Sequence, residues 1–192
     1  DLTLAIGKTR SQTITCDLKR TPHLLIAGLT GGGKSTFLRQ LITTLYLNNP
    51  STTFTLVDLK GGLEFQLFEK LGPRVSVISD LERAVSKFDK MDAMLEKRMA
   101  MLKAQQCKDI DALIQKDPKV LKAIDPADGT MPIAARHVVV IDEAAEVFLT
   151  GPTANAKETQ KAKRVLSQIA RQGRSVGLHL IVATQRPDTK SL

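Results

Sequence analysis

Several residue types are scarce in this 192-residue chain, and each scarcity excludes a class of structure. Two cysteines, Cys16 and Cys107, stand far apart without a CxxC pair, so we predict neither a disulfide framework nor a zinc site. Tryptophan is absent and aromatic residues make up 4% of the chain, which disfavours base-stacking platforms for single-stranded nucleic acid. No apolar run is long enough to cross a bilayer, and no signal peptide is recognisable. We therefore expect a reducing, cytoplasmic environment.

Acidic residues are also outnumbered, since 20 Asp and Glu face 28 Lys and Arg and give a formal net charge of +8. This excess favours a polyanionic partner, although many basic proteins carry a similar one. The hydrophobic share of 42% and the charged share of 25% are ordinary for a globular protein, and the length suits one domain. Because the chain begins with Asp1, we expect residues 1–192 to be one domain of a longer protein, with any membrane anchor outside it.

Hydrophobic patterning predicts strands and helices that alternate along the chain. Residues 2–6 and 13–18 alternate apolar and polar side chains and are predicted to pair as a small β-hairpin within residues 1–20. Further strands are predicted at 23–28, 53–58, 74–79 and 177–187 and within 137–149, and helices at 35–47, 81–103 and 157–172. Residues 116–135 contain three prolines and are expected to form an irregular insertion. This alternation predicts an α/β fold with a doubly wound, mainly parallel sheet.

The stretch from Gly28 to Ser35 reads GLTGGGKS and matches the pattern GxxxxGK[ST] between a predicted strand and a predicted helix. Glycines let the backbone turn several N–H groups inward, and the following helix adds its positive end, so the loop is suited to nucleotide phosphates. We predict that Lys34 reaches the β- and γ-phosphates, that the Ser35 hydroxyl holds Mg²⁺, and that Thr36 lies near the α-phosphate. The predicted phosphate-binding residues are Gly28, Thr30, Gly31, Gly32, Gly33, Lys34, Ser35 and Thr36. The alternative is a glycine-rich turn that precedes Lys-Ser by chance.

A second pattern, VVVIDE at 138–143, supplies acidic groups at a strand end. Asp142 is predicted to hold Mg²⁺ through an intervening water or ligand, and Glu143 to polarise an attacking water. An acid directly after the magnesium-site aspartate favours a hydrolysing motor over a kinase, and the sequence contains no HRD or DFG. Gln185, at the end of the next strand, is placed to contact the γ-phosphate or the water. A plain polar turn before Pro187 explains Gln185 equally well.

Two arginines, Arg171 and Arg174, flank a glycine just before the last predicted strand. One interpretation is a solvated basic helix end, which suits the helix dipole. The other is an arginine finger that reaches the nucleotide of a neighbouring subunit. The sequence is compatible with both interpretations.

Five blocks, taken in order, resemble the motor domain of the FtsK/SpoIIIE family of ring translocases. They read AIGKTRSQTITCDLKRTPHLLIAGLTGGGKS, LVDLKGGLEFQLF, MLEKRMAML, VVVIDEAAE and RQGRSVGLHLIVATQRP. The second block holds Asp58, Lys60 and Glu64, which resemble the family's Asp-x-Lys segment and its downstream acid. The resemblance implies a RecA-like P-loop fold, ATP with Mg²⁺ as cofactors, and a hexameric ring with sites between subunits.

The resemblance also assigns residues by motif position. It carries site roles over to Lys34, Ser35, Asp142, Glu143 and Gln185. Arg174 falls on an arginine of the family block and Arg171 on a variant found in its secretion branch, which leaves open which of them acts in trans. The chain departs from the family where DEAAE replaces the commoner DEFAD and VDLKGG replaces DPK. These forms indicate a plasmid or integrative-element relative.

Three functions are compatible with these features. The first is an ATP-driven translocase of double-stranded DNA, in conjugative or chromosomal transfer, whose salt-sensitive DNA contacts would come from a basic stripe interrupted by one acid, Glu158. The stripe consists of Lys157, Lys161, Lys163, Arg164, Arg171 and Arg174. The second is a motor of the same family that moves protein, as in type VII-like secretion. The third is a nucleotide-binding assembly module without turnover, which the joint presence of Lys34, Asp142 and Glu143 disfavours.

Overall fold

Five parallel strands form the central sheet of the structure, a computed structural model that describes residues 2–122, 132–143 and 156–185. The strands are β3 (His23–Ala27), β4 (Thr53–Asp58), β5 (Val75–Ile78), β6 (His137–Asp142) and β7 (Leu178–Thr184). They lie in the order β3-β7-β6-β4-β5, and every neighbouring pair is parallel. β4 and β6 are buried at every position, as expected for parallel strands that are covered on both faces. The predicted α/β fold with a parallel sheet is confirmed.

Helices cover both faces of this sheet. They are α1 (Lys34–Asn48), α2 (Leu81–Ala104), α3 (Ile110–Lys116) and α4 (Ala156–Val176). Because successive strand residues point to opposite faces, Val138 and Val140 of β6 join the core formed with α1. Val139 and Ile141 join the core formed with α2 and α4. The sheet is therefore doubly wound, as predicted.

The N-terminal hairpin packs on the α1 face. Its strands, β1 (Thr3–Lys8) and β2 (Thr13–Asp17), pair antiparallel. Leu2, Leu4 and Leu18 are at most 1% exposed and belong to the same core as the buried leucines of α1. Burial of each leucine contributes about 2 kcal/mol of transfer free energy. These contacts fix the hairpin to the sheet and confirm the predicted strand pair.

The segment after α2 differs from the prediction. Asp109 caps α3 by accepting a hydrogen bond from the Ala112 N–H at 2.8 Å, and a 3₁₀ helix follows at Pro118–Leu121. The predicted irregular insertion at 116–135 is thus partly helical, and its residues 123–131 lie outside the described ranges, as do the ends of two predicted strands at 144–149 and 186–187. A seven-residue helix carries too little apolar periodicity to be recognised, although aspartate at the N-cap is a usual start signal.

Gly173 lies inside α4, which continues through Val176 instead of ending at residue 172 as predicted.

A Cβ at Gly173 would lie 2.4 Å from the carbonyl oxygen of Leu178. Alanine is favoured over glycine in helices by about 1 kcal/mol, but this backbone oxygen cannot move aside without displacing β7. We expect Gly173→Ala to lower the free energy of unfolding by about 1–3 kcal/mol, measured by urea denaturation. Gly7→Ala is the control, because a Cβ there meets no atom within 4 Å. Equal stability of Gly173→Ala and wild type would contradict this packing.

Candidate functional site

The glycine loop lies between β3 and α1, as its sequence predicts. Gly31 and Gly33 have φ angles of 79° and 84°, a left-handed conformation that glycine adopts freely. A Cβ added at Gly28, Gly31 or Gly33 would meet no atom within 4 Å, so the loop backbone borders open space. Because Gly33 at the N-cap has no side chain, the first N–H groups of α1 carry no side-chain cap. Such an exposed helix start is suited to an anion.

A cavity of about 420 Å³ opens between this loop and the carboxyl ends of β4, β6 and β7. Its wall consists of Leu29, Thr30, Gly31, Gly33, Lys34, Ser35, Thr36, Asp58, Lys60, Leu63, Glu64, Asp142 and Gln185. Six of the eight predicted phosphate-binding residues belong to this wall, and Gly28 and Gly32 complete the loop behind it. β7 lies between β3 and β6 in the sheet, so it places Gln185 between the glycine loop and the acidic strand end.

Lys34 and Asp142 form an ion pair at the centre of the cavity. The Lys34 ammonium contacts Oδ1 of Asp142, and both side chains are 8% exposed. The lysine comes from the first turn of α1 and the aspartate from the last residue of β6. Two residues that are 108 positions apart in the sequence are thus brought into contact.

Glu143 follows directly and is held in an unusual conformation. Its φ angle is 58°, which is uncommon for a residue with a side chain and costs about 1 kcal/mol or more. Its Oε1 accepts a hydrogen bond from the Thr184 hydroxyl at 3.0 Å, and the Gln185 N–H lies 3.2–3.3 Å from both carboxylate oxygens. Lys60 Nζ lies 3.5 Å from Oε2. Glu143 is 3% exposed, and among the described residues the cavity wall includes Asp142 but not Glu143.

Gln185 connects the glycine loop to the acidic strand end. Its side-chain oxygen accepts a hydrogen bond from the Thr30 hydroxyl at 2.9 Å, while its backbone N–H points at Glu143. Gln185 is therefore hydrogen-bonded to both sides of the cavity. Its predicted contact with a γ-phosphate or water stays a prediction.

The loop after β4 supplies functional candidates to which sequence reasoning gave no role. Asp58 accepts hydrogen bonds from the Lys60 and Glu64 N–H groups, both at 3.0 Å, and so shapes this loop. Arg39 lies 2.7 Å from Glu64 and lowers the pKa of that carboxyl, and a hydrogen bond from Ser35 acts in the same direction. The sequence signal was the charged cluster at a strand's carboxyl end, where parallel strands place their ligand-binding residues.

Arg171 and Arg174 lie at the opposite end of the sheet. They line a second cavity of about 330 Å³ beside Arg136, the residue that precedes β6. β7 has seven residues, and at about 3.3 Å per residue it spans roughly 20 Å. This length exceeds an arginine side chain, so neither residue contacts the glycine loop of its own chain. Within the described ranges neither arginine forms an ion pair.

The basic stripe on α4 is partly used inside the chain. Lys161 lies 2.6 Å from Asp89, and Arg164 lies 2.7 Å from Asp92, both on α2. These ion pairs join α4 to α2 and reduce the number of α4 cations that are available to a polyanion. In the described part of the chain, no helix is both long enough and apolar enough to cross a membrane.

The sheet order, the glycine loop and the acidic end of β6 define a P-loop ATPase of RecA-like fold. Residues 1–189 match the model of the FtsK/SpoIIIE family, and the chain belongs to that family. The predicted resemblance is confirmed.

Several known proteins are similar to this chain. The DNA translocase FtsK of Helicobacter pylori strain 26695 is 33% identical over 189 residues, which are 97% of this chain and 20% of that protein. The pCW3 conjugation coupling protein TcpA, solved as a monomer with ATPγS, has a TM-score of 0.83 and 29% identity over 98% of this chain and 49% of that one. The cytoplasmic domain of the Thermomonospora curvata type VII secretion ATPase EccC has a TM-score of 0.70 and 28% identity, covering 97% and 22%. The chain thus spans about a fifth of the curated relatives it matches.

Proposed function

We propose that this chain is the ATP-hydrolysing motor of a machine that moves double-stranded DNA. The observation that carries the proposal is the convergence of Lys34, Ser35, Asp142 and Gln185 on one 420 Å³ cavity at the carboxyl ends of the strands, with Glu143 directly behind it. The residues come from three separate segments, and a chance arrangement would not collect a phosphate loop, an acid pair and a polar strand end in one place.

The chain's own residues divide the chemistry among them. N–H groups of the glycine loop and the start of α1 bind the phosphates, Lys34 neutralises the β- and γ-oxygens, and Thr36 lies by the α-phosphate. Ser35 and Asp142 offer the hard oxygen ligands that Mg²⁺ prefers, so we assign the ion to them. When bound, the ion would supply further charge neutralisation on the phosphate oxygens. Glu143 accepts the proton of the attacking water.

The opposite end of the sheet fits a site shared between subunits. Arg171 and Arg174 are roughly 20 Å from their own glycine loop and form no ion pair within the described ranges, so an arginine finger built from them would act on the nucleotide of another subunit. We therefore propose a ring, a hexamer as in the family pattern, in which these arginines approach the nucleotide of the next subunit. The motor would face the cytoplasm, with any membrane segment outside residues 1–192.

DNA is the favoured polymer because of the net charge of +8 and the DNA translocases among the relatives. Protein is the second candidate, since a type VII secretion ATPase is similar at 28% identity. An assembly module without turnover is the third, and the joint placement of Lys34, Asp142 and Glu143 disfavours it.

The full-length protein should hydrolyse ATP severalfold faster with duplex DNA at low salt, and this stimulation should fade between about 50 and 200 mM salt. Phosphate contacts release counterions, so DNA affinity falls by a large factor over this range. Phosphate release is measured across a DNA titration, with bovine albumin as an inert polymer control. Stimulation by a secreted peptide but not by DNA would favour the second candidate. A flat response to DNA would contradict the first.

A further inference from the structure

Lys60 contacts Glu143 and also lines the cavity. Its Nζ lies 3.5 Å from Oε2 of Glu143, and its side chain also lines the 420 Å³ cavity beside the glycine loop. The lysine side chain is 44% exposed, whereas that of Glu143 is 3% exposed. The cation is therefore able to move, while the carboxylate that it contacts is held in place.

The backbone beneath Lys60 is fixed. Its N–H donates to Oδ1 of Asp58 and the Glu64 N–H donates to Oδ2, both at 3.0 Å. Gly61 and Gly62 follow with φ angles of 110° and 74°, and these values make the turn dependent on glycine. The loop thus presents Lys60 from a fixed base, and only its four-carbon side chain is free to swing.

Lys60 is the most replaceable partner of Glu143. The Thr184 hydroxyl and the Gln185 N–H hold the carboxylate at 3.0–3.3 Å without it. A contact of 3.5 Å to an exposed lysine contributes little, because water competes for the ammonium. A triphosphate on the glycine loop would bring a highly charged terminal phosphate into the cavity that Lys60 already lines, and charge-assisted contacts to such a group are strong.

We propose that Lys60 recognises the terminal phosphate of the nucleotide. Its ammonium leaves Glu143 and binds a γ-phosphate oxygen. A nucleoside triphosphate is then bound by both Lys34 and Lys60, whereas a diphosphate is bound by Lys34 alone of these two lysines. The same movement removes a cation from Glu143, the group that accepts the proton from water. This inference rests on the proposed function, because it requires a nucleotide on the glycine loop.

The test compares nucleotides that differ in the terminal phosphate. We expect Lys60→Met to raise the Kd for ATPγS about tenfold and to change the Kd for ADP by less than about twofold, measured by calorimetry with Mg²⁺. Lys60→Arg keeps the charge and should restore ATPγS binding to within about threefold of wild type. Lys70→Met is the matched control, since Lys70 is exposed on the 3₁₀ helix Gln66–Leu71, away from the cavity wall.

A double-mutant cycle with Glu143 separates recognition from positioning. If Lys60 binds the phosphate, its removal should weaken ATP binding at least as much in a Glu143→Gln background as in wild type, because the neutral amide of that variant offers the ammonium no competing charge. If Lys60 acts only by positioning Glu143, the effect of Lys60→Met should disappear in that background.

The outcomes are distinguishable. Equal weakening of ATPγS and ADP by Lys60→Met, no weakening of either, or loss of the effect in the Glu143→Gln background overturns this proposal while the proposed function stands. A wild-type chain that binds neither nucleotide contradicts the proposed function itself. Thermal melting of each variant verifies that the exposed substitution leaves the fold intact.

Discussion

Replacing Glu143 with glutamine should lower the rate of ATP hydrolysis by about 10²- to 10⁴-fold while ATP stays bound. The amide keeps the size of the carboxylate and can still accept hydrogen bonds from Thr184 and Gln185, but it cannot take a proton from water. The loss therefore falls on kcat rather than on nucleotide affinity. Phosphate release under saturating ATP measures turnover, and calorimetry measures the Kd.

Glu69→Gln provides the control for this experiment, because Glu69 is exposed on the 3₁₀ helix Gln66–Leu71 and does not line the cavity. It should leave both quantities unchanged. Equal turnover in Glu143→Gln and wild type would show that another group activates the water. A parallel loss of ATP affinity would show instead that the carboxylate stabilises the bound nucleotide rather than the reaction.

Lys34→Met should have the second large effect, on both binding and stability. Loss of this cation should weaken ATPγS binding by about a hundredfold, since charge-assisted contacts to phosphate contribute about 3 kcal/mol. It also leaves Asp142, whose side chain is 8% exposed, without its partner. Breaking a buried ion pair from one side costs about 3 kcal/mol or more. Urea denaturation measures this loss.

A double variant tests whether the loss of stability comes from the unpaired Asp142. Adding Asp142→Asn to Lys34→Met removes the unpaired carboxylate and should recover much of the lost free energy of unfolding, without recovering nucleotide binding. Additive losses in the double variant would mean that Lys34 and Asp142 do not stabilise each other. Lys70→Met should match wild type in both measurements.

Local sequence patterns predicted those parts of the fold whose structure is determined by neighbouring residues, such as strands and helices with regular apolar spacing. The apolar run of β6 and the helical spacing of apolar residues in α1 each indicate which residues are buried. The glycine loop was recognisable because its pattern lies between a strand and a helix. α3 was missed because seven residues are too few for a period to show. The end of α4 was misplaced because a glycine that usually ends a helix is here required by close packing on Leu178.

Contacts across the sheet were beyond sequence reasoning. Lys60 meets Glu143 because β4 pairs with β6 in a register that places Asp58 opposite Asp142, and no local pattern specifies that register. The distance that keeps Arg171 and Arg174 from the glycine loop of their own chain likewise follows only from the length and position of β7. The sequence predicted that Asp142 and Glu143 lie at a strand end, whereas the residues that they contact are determined by the tertiary structure.

β7 has a mechanical consequence for any ring built from this chain. The strand is hydrogen-bonded on both sides, to β3 and to β6, and therefore behaves as a stiff rod. Arg171 and Arg174 lie just before its first residue and Gln185 just after its last. If adjacent subunits meet at these two ends, β7 would connect the nucleotide of one subunit to the nucleotide of the next. Hydrolysis in neighbouring subunits would then be coupled through this strand, without an additional structural element between the two sites.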